Sequence, residues 1–137
     1  MIVADTGAIV ALIDADDRHH PALLSLFEDS PEAWVLPWAV LPEVDYLLAT
    51  HVGEKAQRAF LDDLAAGRYE VEWGIKGDLG RANDLCRKYR DLKIGLVDAA
   101  VIAAAERLGA SAIATLDLRH FGAIQIRGKP RLLPRDG

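Results

Sequence analysis

Residues 95–117 read GLVDAAVIAAAERLGASAIATLD, and this stretch decides the fold. Leu96 to Leu108 has the length and composition of a helix, and Gly109 closes it. Ser111 to Thr115 is then a short apolar run of strand type, with Asp117 just past its end. The same pairing of apolar strand and acid opens the chain, where Ile2-Val3-Ala4 is followed by Asp5 and a helix from Thr6 to Ala15. Between the two units the pattern predicts helices over Pro21–Asp29, Val40–Thr50, Gly53–Ala66 and Gly77–Tyr89. Pro42 falls in the first turn of the second of these or kinks it. Strands are expected at Trp34–Leu36, closed by Pro37, and at Tyr69–Val71. After Asp117 a helical turn over Leu118–Phe121 leads to a last strand at Ala123–Ile126. Short apolar strands alternating with helices give a three-layer α/β/α fold around a central, mainly parallel sheet. No repeat or linker divides it, so residues 1–137 form one domain.

The composition agrees. Of 137 residues 51% are hydrophobic, enough for a real core and too many for a disordered chain. No apolar stretch approaches the roughly 18–20 residues of a membrane span, and the run Trp34–Pro42 contains two prolines. The N-terminus has no basic region of a signal peptide, and the single Cys86 cannot form an internal disulfide; the expectation is a soluble cytoplasmic protein. Net charge is −5, but residues 1–54 hold ten acids and one base, Arg18. An acidic protein of this kind is a poor non-specific binder of nucleic acid, although a cation among its acids would let it hold a phosphodiester.

Four acids stand out. Asp5 follows an apolar strand in a segment without bases, where capping the next helix is the ordinary use. Asp98 is the only charge between Ile94 and Ala105 and shares a helix face with Val101, Ile102 and Ala105, so it should point inward. Burying it unpaired costs several kcal/mol or raises its pKa. Glu43 lies in Leu36–Leu48, which has no Lys or Arg, while Asp45 faces elsewhere. Asp117 ends a strand, where it caps the next turn or pairs with Arg119. In an open α/β sheet such positions meet outside the carboxyl ends of the strands. Converging carboxylates repel unless a cation joins them. Oxygen-only ligation selects Mg²⁺ or Mn²⁺, ions suited to phosphoryl chemistry.

The motifs Ile2-Val3-Ala4-Asp5-Thr6-Gly7, Leu41-Pro42-Glu43-Val44, Gly95-Leu96-Val97-Asp98-Ala99 and Ala114-Thr115-Leu116-Asp117-Leu118-Arg119-His120-Phe121 span nearly the whole chain. In this order and spacing they resemble the PIN-domain ribonucleases, in particular the VapC-type toxins of toxin–antitoxin pairs. The resemblance implies a metal-dependent endoribonuclease in which Asp5, Glu43, Asp98 and Asp117 are the acidic quartet. Asp5 and Asp98 would ligate Mg²⁺ or Mn²⁺ directly, with Glu43 and Asp117 completing the pocket directly or through water. Thr6 and Thr115 match positions whose hydroxyls orient a ligand or water. In-line attack on RNA would leave a 5′-phosphate and a 3′-hydroxyl. The resemblance also implies a small antitoxin partner, and a homodimer or higher assembly with it. A PIN ribonuclease of RNA processing and a non-catalytic RNA- or protein-binding PIN module are the alternatives.

Other features read more plainly. Asp16-Asp17-Arg18-His19-His20 is a solvated connection between helices. His120 is expected beside the last strands, and Cys86 as a small core residue. Trp34, Trp38 and Trp73 suit burial or a partner interface, and Arg87–Lys93 is a basic helix end. Trp38, Leu41, Tyr46, Leu47 and Leu48 offer more apolar surface than one helix face easily buries, a surface for an antitoxin helix or a second copy. A haloacid-dehalogenase-like phosphatase needs a second Asp where Gly7 stands. A receiver domain needs an Asp after the middle strand, where Glu72 and Trp73 follow Tyr69-Glu70-Val71.

Overall fold

The computed structural model describes all residues, Met1–Gly137. Five short strands, β1 (Ile2–Ala4), β2 (Trp34–Pro37), β3 (Glu70–Glu72), β4 (Ala112–Ala114) and β5 (Arg131–Leu133), form one sheet in the order β3-β2-β1-β4-β5, parallel throughout. Ile2 pairs with Trp34 on one side and Ala112 on the other, so β1 is the centre of the sheet. All six side chains of β1 and β4 are fully buried, as the middle of a sheet covered by helices on both faces requires.

Seven α-helices flank the sheet: α1 (Thr6–Ile13), α2 (His20–Asp29), α3 (Leu41–Leu47), α4 (Glu54–Ala65), α5 (Lys76–Lys88), α6 (Leu96–Leu108) and α7 (Leu118–Phe121). None is long and apolar enough to cross a membrane. Helix α6 presents Ala99, Val101, Ile102 and Ala105 to the core, and its small side chains let it lie close to β1 and β2. It stops where Gly109 takes φ +61°, a conformation that costs glycine little. Two ion-pair clasps bind α6 to α5. Arg81 grips Glu106 with two bonds of 2.7 and 3.0 Å, and Arg107 grips Asp78 at 2.9 and 3.1 Å while also reaching Glu72 on β3.

Two expectations change. The helix expected over Val40–Thr50 is three pieces: a 3-10 turn (Trp38–Val40), α3, and a π turn (Leu48–Val52) ended by Gly53 at φ +142°. Its expected surface divides accordingly. Leu48 is core, Leu41 and Leu47 are half-buried, and only Trp38 and Tyr46 stay exposed.

Ala123–Ile126 is not a strand. Ile124 and Ile126 are buried and Ala123 and Gln125 exposed, the alternation expected of a strand, but no backbone donor reaches a neighbouring strand: the Ala123 amide donates to His120 O within the α7 turn. The Gln125 amide donates to Tyr89 Oη at 3.0 Å and the Arg127 amide to Glu106 Oε2 at 2.9 Å. The last strand is instead Arg131–Leu133, reached through Gly128 and Lys129 at positive φ. Being an edge strand, it tolerates Pro130 and Pro134 at its ends.

Candidate active site

From β1 the chain runs outward through β2 to β3, then returns to the other side of β1 for β4 and β5. The order reverses between β1 and β4, and the crevice outside their carboxyl ends is where ligands bind in open parallel sheets. Asp5 is the first residue beyond β1, and its amide donates to Ala114 O at 2.9 Å, so the two strand ends are tied together there.

Asp5 is 6% exposed and does not cap α1 with its side chain. Its Oδ2 accepts from the Thr115 hydroxyl at 3.0 Å, and that hydroxyl accepts from the Asp117 amide at 3.1 Å. The second bond orients the Thr115 proton toward Asp5. Burial pushes the Asp5 carboxyl up to about 6, against the pull of the Thr6 amide and the Thr115 hydroxyl, and the fields of Asp98 and Asp117 add to the rise.

Asp98 projects from the first turn of α6 and is half-buried at the mouth of the crevice rather than turned into the core. Burial raises its pKa first and the field of Asp117 second; Glu43 adds to the rise, while the Gly95 backbone and His120 oppose it. Asp117 caps α7: its Oδ1 accepts from the His120 amide at 3.2 Å, and its Oδ2 lies 2.9 Å from His120 Nδ1. Arg119 is exposed and forms no ion pair with it. Glu43 stands exposed in the first turn of α3, at the rim, and reaches Asp98 through its field.

The acids therefore meet at graded distance. Asp98, Asp117 and His120 each offer an atom, all within 4.8 Å of one another. Asp5 lies behind them, linked through Thr115, and Glu43 forms the rim. His120, expected beside the last strands and near Asp117, also lies against a second acid, with Nδ1 3.7 Å from Asp98 Oδ2. Its position three residues after Asp117 was the one available signal.

No Lys or Arg pairs with any of the four acids, although Glu32, Glu72, Asp78 and Glu106 elsewhere are all paired with cations. Next to Asp5, the Thr6 hydroxyl is 4% exposed and has no hydrogen-bond partner. A buried orphan hydroxyl beside uncompensated carboxylates fits a hard divalent ion with its water.

The other sequence candidates lie apart. His20 Nδ1 bonds to Ala11 O at 2.9 Å and the His19 amide to Asp17 at 2.7 Å, so the α1–α2 connection is a self-satisfied loop. Cys86 is half-buried, with Sγ 3.8 Å from Gly95 O. Arg87, Lys88, Arg90 and Lys93 are exposed. Trp34 is core, whereas Trp38 and Trp73 are 51% and 72% exposed. With Ile75, Leu79 and Leu96 these two line an apolar groove of about 430 Å³ that none of the four acids enters.

The family model of the PIN domain matches residues 2–125. Ribonuclease VapC26 of Mycobacterium tuberculosis is 37% identical over 130 residues, which span 95% of this chain and 96% of the relative. Among solved structures, VapC20 of M. tuberculosis, a sarcin–ricin loop cleaving toxin, is similar with a TM-score of 0.75 and 23% identity, over 82% of this chain and 87% of its own. VapBC2 from Rickettsia felis, bound to a DNA fragment from their promoter, gives a TM-score of 0.69 at 18% identity, covering 96% of this chain and 97% of that one. At these identities the two structures speak for the fold.

Proposed function

This chain belongs to the PIN-domain family, and from that premise we propose that it is a divalent-metal-dependent endoribonuclease, the toxin of a toxin–antitoxin pair. The observation that carries the nuclease reading is the gathering of Asp5, Asp98 and Asp117 at the ends of β1 and β4 and the start of α6, without a Lys or Arg to compensate them. Asp5 and Asp98 would hold Mg²⁺ or Mn²⁺, with Glu43 and Asp117 completing the pocket directly or through water. When bound, the ion supplies charge neutralisation at a phosphoryl oxygen and a lowered water pKa.

The chain's own residues do the positioning. Thr115 fixes the Asp5 carboxylate by donating to it while held by the Asp117 amide. Asp117, anchored as the cap of α7, orients the attacking water or the leaving oxygen. The Thr6 hydroxyl, buried and unpartnered, would bond a water admitted with the ion. Glu43 at the rim adds to the negative field that would draw a divalent ion. The products would be a 5′-phosphate and a 3′-hydroxyl. A labelled RNA incubated with the purified protein tests this. Cleavage should vanish in chelator, return with Mg²⁺ or Mn²⁺, and leave those ends; cleavage that survives exhaustive chelation contradicts it.

Solved structures of similar fold include a toxin–antitoxin complex from Klebsiella pneumoniae, which supports the reading of a small antitoxin as partner. A cationic side chain of that partner would suit the acidic pocket. For the apolar groove we favour a second copy of this chain. Trp38 and Trp73 leave on the order of 250 Å² uncovered at their observed exposures, and Ile75, Leu79 and Leu96 bring the patch to on the order of 500 Å². That matches the apolar share of a standard interface of about 800 Å² per partner. A two-fold dimer closes such a patch on itself.

A further inference from the structure

We propose that His120 is itself a ligand of the divalent ion, and that its ring nitrogen shifts the site from Mg²⁺ toward Mn²⁺. The inference rests on the divalent-ion reading given above. His120 Nδ1 lies 2.9 Å from Asp117 Oδ2 and 3.7 Å from Asp98 Oδ2. One ligand atom from each of the three residues lies within 4.8 Å of the other two. In an octahedral site with bonds of about 2.1 Å, neighbouring ligands stand about 3 Å apart and opposite ones about 4.2 Å. The ring's two separations, 2.9 and 3.7 Å, match neighbouring and intermediate ligand spacings, and the bound of 4.8 Å on the third needs only a small approach of the carboxylates for one ion to touch both and the ring.

A purely local role does not account for the ring. The turn at α7 is already capped by the bond from the His120 amide to Asp117 Oδ1. A ring serving only that cap would need Asp117 alone. Instead Nδ1 also faces Asp98, which belongs to α6 and is 22 residues earlier in the chain. The ring is 21% exposed, which shields the nitrogen from bulk water while leaving the mouth open. The other three histidines lie at 19, 20 and 51, outside this group of ligating atoms.

The chemical consequence is selectivity. Mg²⁺ demands a near-ideal octahedron of oxygen and gives up its water reluctantly. Imidazole nitrogen suits transition metals, so replacing one oxygen by Nδ1 raises Mn²⁺ affinity relative to Mg²⁺. Asp5, held by Thr115 and outside this group of atoms, would join the same ion through an oxygen, directly or through water. When no ion is bound, Nδ1–H donates to Asp117 Oδ2; with the ion in place the ring proton would reside on Nε2 and Nδ1 would offer its lone pair.

The test uses the full chain, Mn²⁺ and Mg²⁺ as probes, and the variant His120→Asn, whose amide still donates to Asp117 but is a far poorer ligand. Mn²⁺ binding is followed by the loss of the free-ion electron paramagnetic signal, with Mg²⁺ as competitor. Spin-echo modulation from a coordinated ¹⁴N is recorded on the wild-type complex. The expected result is ¹⁴N modulation in wild type, its loss in His120→Asn, a fall in Mn²⁺ affinity of about tenfold, and Mg²⁺ affinity within about twofold of wild type. Wild-type protein that binds Mn²⁺ without ¹⁴N modulation overturns the inference and leaves the metal site standing. An equal loss for both ions in the variant also overturns it, making His120 a positioning residue for Asp117. A wild type that binds neither ion overturns this inference and the metal-dependent reading together. The wild-type spectrum decides even if the variant folds poorly.

Discussion

Replacing Asp5 by Asn should make the metal-free protein more stable at neutral pH, in a way that depends on pH and reverses with metal. The substitution keeps the shape of the side chain, and its amide oxygen can still accept from Thr115 at the 3.0 Å position. It removes a charge that burial holds at a pKa of about 6 against an ordinary 3.8. Two pKa units correspond to roughly 3 kcal/mol, and about 1 kcal/mol is lost again in burying the new NH₂ group. The net gain is about 2 kcal/mol, or roughly 6 °C in Tm for a domain of this size. The sign follows from proton linkage. The folded carboxyl binds its proton more tightly than the unfolded one, so the wild type is free of the penalty below about pH 4. The penalty grows as pH rises and is complete above about pH 6 to 7. Thermal unfolding in chelator should therefore show the variant slightly behind wild type at pH 4, by up to about 1 kcal/mol, and ahead at pH 7.5. Saturating Mn²⁺ at 100 times its Kd adds about 2.7 kcal/mol to the wild type and little to the variant, which reverses the order. A variant less stable than wild type at pH 7.5 without metal, or a gap that does not change with pH, refutes this account of Asp5.

Asp98→Asn should abolish RNA cleavage, raise the metal-free Tm and weaken stabilisation by Mn²⁺; a variant with wild-type cleavage and metal response removes Asp98 from the site. Trp73→Asp, at the exposed edge of the groove, should convert a dimer to a monomer in light scattering while cleavage per chain survives; an unchanged mass means that no second copy occupies the groove. Arg81→Ala strands the nearly buried Glu106 without its bidentate partner and should cost about 3 kcal/mol in denaturant unfolding, and a loss under 1 kcal/mol would show that the α5–α6 clasp is not structural. Expressed alone, the chain should arrest growth, and co-expression with its small antitoxin should relieve the arrest and yield a complex on purification. Harmless expression alongside normal cleavage in vitro would leave only the ribonuclease.

The parts of this account legible in the sequence were those carried by neighbours in the chain. Ile2-Val3-Ala4 before Asp5 and Ala112-Ile113-Ala114 before Asp117 are strands with an acid just beyond, and both lie at the centre of the sheet. Asp98 was conspicuous because Ile94–Ala105 holds no other charge, and no Lys or Arg pairs with it in the fold. What escaped was non-local. Burial alternates through Ala123–Ile126 whether the segment is a strand or a loop laid on the core. The deciding partners, Tyr89 and Glu106, are 36 and 21 residues away. The contact of His120 with Asp98 depends on where α7 is set against α6, which no local pattern encodes. Leu48 and Tyr46 stand two residues apart, so a helix sets them on opposite faces, and only the packing of that helix against the sheet decides that the Leu48 face is the buried one.

The central claim is that the acids outside β1, β4 and α6 share one divalent ion. Anomalous scattering from a crystal of the wild-type protein soaked in Mn²⁺ tests it most directly. The account predicts a single strong peak within bonding distance of Asp98, with a ligand oxygen from Asp5 or Asp117, and no peak in a matched crystal of Asp98→Asn. A Mn²⁺ peak elsewhere on the chain with none in the crevice, or an equal peak in the variant, would contradict it.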